Sequence, residues 1–161
     1  MQASLLLLPQ EQLTLASTHE VAELQRYRRL SLSFLPRAPQ VSRLMSCLGL
    51  QCEKRLDTLR GVASRLELEA CVTSPAAITA SFASAPRHFF VEEDGMAVQL
   101  LDQAIHIAVE TKRFFAWLLE TNATPELHRT FVDFVREKEA ECHVLLEFRE
   151  HQTAPAVLRH A

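Results

Sequence analysis

The sequence contains little of what phosphate-binding loops and disulfide-stapled domains are built from. Only three of its 161 residues are glycine, and neither a GxGxxG nor a GxxxxGK[ST] phosphate loop is present. The four cysteines form no CxxC pair; they are Cys47, Cys52, Cys71 and Cys142. A chain of this length can bury a sizeable core without disulfides. We therefore expect no nucleotide loop and four free thiols.

A strong net charge and a long apolar run are missing as well. The formal charge of −3 gives no electrostatic reason to expect nucleic acid or an anionic membrane as a partner. The apolar run Leu5–Leu8 follows no basic residue, and it is too short for a signal peptide or a membrane span. We expect a cytoplasmic protein that binds neither nucleic acid nor membrane.

The chain does contain four long stretches in which apolar residues recur every three or four positions. These stretches cover residues 9–34, 39–66, 95–121 and 125–150. This spacing is typical of amphipathic helices that pack an apolar stripe on other helices. No stretch shows the alternation of a half-buried strand. The sequence therefore predicts one all-α domain over residues 1–161.

The connections between these stretches predict their order in space. Residues 35–38 and 121–124 are short turns, and helices joined by short turns form antiparallel hairpins. The segment of about residues 67–94 is long enough to return along the bundle as a crossover between the second and third helices. About residues 151–161 form a C-terminal tail. The expected fold is an antiparallel four-helix bundle with one long crossover, which is the ferritin-like arrangement.

Two segments resemble the rubrerythrin-like branch of the ferritin-like proteins. The segment AIHIAVETKRFFAWLLETNATPELHRTFVDFVREKEAECHVLL, Ala104–Leu146, is similar to the second half of such a protein. The segment HEVAELQRY resembles the opening helix of the family, where a ligand glutamate precedes a tyrosine by seven residues. Glu20 and Tyr27 have that spacing. The resemblance implies the same bundle and, in the family, a metal site in its core.

The family holds two metal ions with six ligands, and this sequence departs from that pattern. A glutamate comes from each of helices one and three, and a Glu-x-x-His from each of helices two and four; such ligands suit iron or manganese. Glu20 matches helix one, but the helix-three position is Ala108. The two Glu-x-x-His positions fall on Cys52–Arg55 and Lys138–Glu141, without histidine. At most two of the six expected ligands remain, Glu20 and either Glu141 or Glu139.

This departure predicts a cluster of opposite charges in place of metal ions. The expected members are Glu20, Glu23, Cys52, Arg55, Lys138 and Glu141. Arg55 and Lys138 would supply the counter-charge that buried carboxylates need, and the arginine fork can bind two carboxylates at once. We expect no cofactor, and a scaffold or binding protein rather than an enzyme.

A metal-dependent oxidoreductase or metal-handling protein with shifted ligands remains the alternative. Its ligands for iron or manganese would be Glu20, Glu23, Glu53, Glu139, Cys142 and His143. Glu20 and Glu23 can share a helix face, as can Glu139 and His143, but no paired Glu-x-x-His results. The resemblance also implies a homodimer, since ferritin-like chains of this size commonly associate through helix faces. The sequence identifies no small-molecule or protein partner.

All four cysteines should be free thiols in the native protein. A peptide map of the purified protein under non-reducing conditions should show each cysteine unlinked. A native bridge between Cys52 and Cys142, which lie on helices expected to be neighbours, would contradict the prediction and indicate a redox switch.

Overall fold

The computed structural model describes residues 4–78 and 90–153, and within these two ranges the chain is helical with no strand. The four long helices are α1 (Pro9–Phe34), α2 (Pro39–Arg65), α3 (Asp94–Glu120) and α4 (Pro125–Thr153). Their bounds agree closely with those predicted from the sequence. The largest difference is at the end of α4, which continues to Thr153 instead of giving way to a tail at residue 151.

Local sequence signals explain where these helices begin. Three of them open with a proline, at Pro9, Pro39 and Pro125. Proline suits the first helical position because its missing N–H would have no partner there. Before α1, the Leu8 N–H donates to the Glu11 carboxylate at 2.8 Å. Before α4, the Asn122 side chain accepts from the Thr124 N–H at 3.0 Å and donates to the Thr124 carbonyl at 2.9 Å.

The described parts of the predicted crossover are attached to α1. Glu69–Cys71 is a short 3-10 helix, and the Ser17 hydroxyl of α1 donates to the Cys71 carbonyl at 3.2 Å. At the other end, the Val91 N–H donates to the Ser33 carbonyl at 2.9 Å. Residues 79–89 of the crossover and the tail after Thr153 lie outside the described residues. No helix in the described ranges has the length and apolarity needed to cross a membrane.

The hydrophobic core consists of two clusters, each with residues from all four long helices. The first includes Leu24, Tyr27, Met45, Leu48, Leu101, Ala104 and Leu145. The second includes Leu13, Ala16, Leu59, Val62, Phe115, Leu118, Phe131 and Phe134. In α1 and α4 the residues between the two clusters are charged and buried, so a polar layer separates two apolar halves of a helical bundle.

The end of α2 contains a residue in an unfavourable backbone conformation. Glu67 has φ of 58°, in the left-handed region that side chains with a Cβ disfavour. The Leu68 N–H donates to the Ala63 carbonyl at 2.7 Å and the Glu67 N–H to Ser64 at 3.1 Å. This is the Schellman termination, whose left-handed position glycine usually occupies.

Glu67→Gly should therefore stabilise the protein by about 1 kcal/mol, measured as the free energy of unfolding in urea. Glu67→Ala is the matched control, because it removes the carboxylate but keeps the Cβ in the left-handed region. Equal stability of the two variants would show that the left-handed backbone conformation does not destabilise the protein.

Candidate functional site

The polar layer contains six buried side chains from three helices. They are Glu20 and Glu23 of α1, Cys52 and Arg55 of α2, and Lys138 and Glu141 of α4. We call these six residues the central cluster. Arg55 is 2% exposed, and Glu20 and Lys138 are fully buried. The structure thus brings together the six residues that the sequence predicted as a polar cluster.

Glu20 lies between the two cations. Lys138 Nζ is 2.8 Å from Glu20 Oε1, and Arg55 Nε is 3.1 Å from Glu20 Oε2. Both are ion pairs without well-aligned hydrogen-bond geometry. Attraction between opposite charges strengthens as the surroundings become less polar. The Glu20 carboxylate therefore binds α1 to both α2 and α4.

Arg55 contacts three carboxylates. Its Nη2 donates to Glu141 Oε1 at 2.6 Å and its Nη1 to Glu137 Oε2 at 3.0 Å, in addition to the Glu20 contact. Nη2 also lies 3.5 Å from Cys52 Sγ. The Tyr27 hydroxyl donates to the other oxygen of Glu141 at 3.1 Å. The guanidinium is thus paired on all sides, as a buried charge must be.

A second group of contacts surrounds Glu23. Arg26 Nη2 donates to Glu23 Oε1 at 2.7 Å, and Lys138 Nζ is 3.8 Å from Glu23 Oε2. The Thr111 hydroxyl of α3 donates to Glu23 at 3.3 Å, and His19 Nε2 lies 3.0 Å from Thr111 Oγ1. Glu23 therefore links the central cluster to a half-buried seam between α1 and α3.

The sequence analysis missed four of these contributors: His19, Arg26, Thr111 and Glu137. Glu137 is four residues before Glu141, so both can share a face of α4, and Arg26 is similarly three residues after Glu23. Those spacings were available signals. Thr111 had none beyond its place in the apolar stripe of α3, and His19 had none beyond its position next to Glu20.

The pKa values show which members of the cluster are firmly charged. Burial alone would raise the pKa of Glu20, but the charges of Lys138 and Arg55 outweigh it and hold that pKa below 4.5. Burial alone would lower the pKa of Lys138 and of Arg55, yet the surrounding glutamates raise both. These three groups are therefore ionised at neutral pH.

Glu23 and Cys52 behave differently. Burial raises the pKa of Glu23 above 4.5, because Arg26 and Lys138 compensate only in part. Burial also raises the pKa of the Cys52 thiol, with a further contribution from the Glu20 charge. On acidification Glu23 thus protonates before Glu20, and Cys52 is a neutral thiol with little nucleophilic character.

The alternative ligands do not come together. Glu139 and His143 are exposed on α4, whereas Cys142 is buried in the first apolar cluster. Glu53 pairs with Arg28 at the surface. Across residues 4–78 and 90–153, no three histidine, cysteine, aspartate or glutamate side chains form a group that could hold a metal ion.

The central cluster also does not fit the pair of metal ions that the family resemblance implies. Lys138 and Arg55 contact the carboxylates that would ligate the metals, and at the level of the cluster α3 offers Thr111 rather than a glutamate. A dication 4 Å from a fixed unit charge would be repelled by about 8 kcal/mol at an effective dielectric constant of 20. Each cation thus acts as a permanent counter-ion.

We compared the chain with protein-family models, with curated proteins and with solved structures, and none of the three comparisons produced a match.

Arg55→Ala should destabilise the protein by about 3–5 kcal/mol, because it leaves Glu20 and Glu141 buried without their guanidinium partner. Arg129→Ala is the control, since Arg129 is on α4 with its side chain 94% exposed. The free energy of unfolding in urea is the measurement. Similar losses for the two variants would mean that the buried ion pairs contribute little.

Glu20→Gln and Glu23→Gln should differ in their pH dependence. Glu20 has a lowered pKa in the folded state, so it stabilises the fold above pH 4.5 and loses this effect as pH falls through its folded pKa. The raised pKa of Glu23 gives a contribution that is present below pH 4.5 and lost as pH rises through the folded value.

At neutral pH, Glu20→Gln should consequently destabilise the protein more than Glu23→Gln does. The difference between Glu20→Gln and the unmodified protein should shrink as the pH is lowered below 4.5. Unfolding in urea across a pH series tests both statements. A larger effect of Glu23→Gln at neutral pH would contradict the assignment.

Proposed function

We propose that this chain is a ferritin-like four-helix bundle in which fixed ion pairs replace the two metal ions, and that it acts by binding as a scaffold protein. It is not a metal-dependent redox enzyme in this proposal. The observation that carries it is the complete burial of Lys138 against Glu20, together with Arg55 on the opposite oxygen.

Contacts within each hairpin support the ferritin-like arrangement. Ser31 hydrogen-bonds Ser42, and Arg28, earlier in α1, pairs with Glu53, later in α2. The two helices therefore run in opposite directions. The same reasoning applies to α3 and α4, where Asp102 pairs with Arg149 and the rings of Phe115 and Phe134 are 5.8 Å apart.

Contacts between the hairpins support it further. Glu20 pairs with Lys138, and the later residue Tyr27 hydrogen-bonds the later residue Glu141, so α1 and α4 run in the same direction. If each hairpin is antiparallel, α2 and α3 are parallel to each other as well. A bundle with this order requires one long connection between its second and third helices, as in the ferritin-like fold.

The chemistry of the cluster supports a role without catalysis. The Cys52 thiol is neutral, and burial raises the pKa of the adjacent Tyr27 phenol well above 10.0. The two cations, Arg55 and Lys138, are engaged by carboxylates. The Cys52 thiol and the Tyr27 phenol are therefore not available as nucleophiles near neutral pH. The four cysteines are all unpaired, which agrees with the sequence prediction and supports a reducing compartment such as the cytoplasm.

Elemental analysis of protein purified without chelators is the first test of this proposal. Iron and manganese should be well below one ion per chain. If the protein contains stoichiometric iron or manganese, and mutation of Glu20 removes it, the proposal is contradicted and the metal-dependent alternative is favoured.

Restoring the family ligands should create a metal site if the arrangement is ferritin-like. The variant combines Cys52→Glu, Arg55→His, Ala108→Glu, Lys138→Glu and Glu141→His, and retains Glu20. It should bind Mn²⁺ in isothermal titration calorimetry, because six carboxylate and imidazole ligands would then face the core.

The control for that experiment retains Lys138 and carries the other four substitutions. It should bind far more weakly, because the ammonium group repels the metal ion. If the six-ligand variant is helical but binds Mn²⁺ no better than this control, the ferritin-like arrangement is contradicted.

A further inference from the structure

A narrow groove, which we call the α1–α3 groove, runs between α1 and α3. It has a volume of about 220 Å³. Its lining on α1 extends from Arg26 to Ser33, and its lining on α3 extends from Leu100 to Ile107. Each stretch advances by seven residues, or about 10.5 Å along a helix. Over that length the volume corresponds to a cross-section of about 20 Å², which is close to that of one extended alkyl chain.

Much of the wall of the α1–α3 groove is apolar. Leu30 contributes from α1, and Leu100, Ala104 and Ile107 contribute from α3. Ile107 is 37% exposed, and both leucines are half-buried. Because removal of apolar surface from water is favourable, these walls suit a hydrocarbon chain.

The charged residues that line this groove, within the described part of the chain, are two arginines and no acid. Arg26 and Arg29 are three residues apart on α1, so their side chains lie on one side of the helix. Arg29 is exposed, and no ion pair in residues 4–78 and 90–153 includes it. Ser33 and Gln103, the other polar residues of the lining, are uncharged.

Arg26 is held in place but is not fully hydrogen-bonded. Its Nη2 donates to Glu23, and its guanidinium lies over the Tyr27 ring, 4.9 Å from the ring centroid. Its Nε and Nη1 have no hydrogen-bond partner. Donors of this kind are rare in folded proteins unless a water molecule or a ligand pairs with them. The groove therefore has a positive charge that the protein itself balances only in part.

We propose that the α1–α3 groove binds a single-chain amphiphile with an anionic head group, such as a medium-chain carboxylate. The head group lies at the two arginines, and the alkyl chain lies along the four apolar residues. Guanidinium groups bind carboxylates through charge-assisted hydrogen bonds. Apolar walls with a few polar groups that fix the orientation of the ligand are usual in small-molecule sites.

The groove between α1 and α2 is the rival site, because Arg29 borders it as well. Its volume is larger, about 510 Å³, and its lining includes Arg28, Glu53 and Leu50. Arg28 and Glu53 already pair with each other, and a carboxylate in that groove would meet Glu53 with a like charge. We therefore assign the anionic ligand to the α1–α3 groove.

The test is a titration of the full chain with sodium octanoate, followed by nuclear magnetic resonance of the backbone amides. Binding should saturate with one site per chain, and the largest shifts should lie in residues 26–33 and 100–107. Acetate, which lacks the alkyl chain, and 1-octanol, which lacks the charge, should each bind at least tenfold more weakly.

Two pairs of variants locate the site. Ile107→Glu places an acid in the α1–α3 groove and should weaken octanoate binding at least tenfold, whereas Leu50→Glu, in the rival groove, should leave it unchanged. Arg29→Gln should weaken binding about threefold, as expected for one exposed charge. Arg43→Gln, at an exposed arginine of α2, is its matched control and should bind octanoate as the unmodified protein does.

Three results would overturn the proposal: no saturable binding of octanoate, equally tight binding of 1-octanol, or loss of binding in Leu50→Glu with none in folded Ile107→Glu. The third result would assign the ligand to the rival groove. If Ile107→Glu does not fold, the comparison of Arg29→Gln with Arg43→Gln still decides, because both arginines are exposed. No central-cluster residue lines the α1–α3 groove, so octanoate binding and metal content are independent results, and this proposal and the proposed function can fail separately.

Discussion

The contact on which the rest of the structure depends is the pairing of one buried carboxylate with two buried cations. One oxygen of Glu20 forms an ion pair with Lys138 at 2.8 Å, and the other forms an ion pair with Arg55 at 3.1 Å. Transfer of each charge from water into the core is costly, and removal of one partner leaves another charge uncompensated. The three helices that carry these residues must therefore assemble together and in one register.

Helix α2 is held in place by the charge that it carries into the core. Arg55 joins Glu20 of α1 to Glu141 of α4. A slip of one residue along α2 would rotate Arg55 out of the central cluster by about 100°. The buried ion pairs thus fix the register of α2 against α1 and α4.

Much of the fold could be predicted because helix formation follows from local patterns. Apolar spacing located the four helices. The central cluster could be predicted because Arg55 and Lys138 interrupt apolar stripes, which leaves them facing the core. The spacings of Arg26 from Glu23 and of Glu137 from Glu141 indicate shared helix faces. Whether either side chain points to the cluster or to solvent depends on tertiary packing, which the spacings do not give. The left-handed conformation of residue 67 could not be predicted either, because its usual sequence signal is glycine and this chain has glutamate there.

The central claim is that a permanently charged ammonium group lies in the core, and nuclear magnetic resonance can observe it directly. The chain has three lysines, Lys54, Lys112 and Lys138, so ¹H–¹⁵N correlation of side-chain ammonium groups is easily assigned with single lysine variants. A slowly exchanging ammonium signal should persist at neutral pH and disappear in Lys138→Met. A neutral amine at Lys138, or exchange with water as fast as that of the exposed Lys54, would contradict the account.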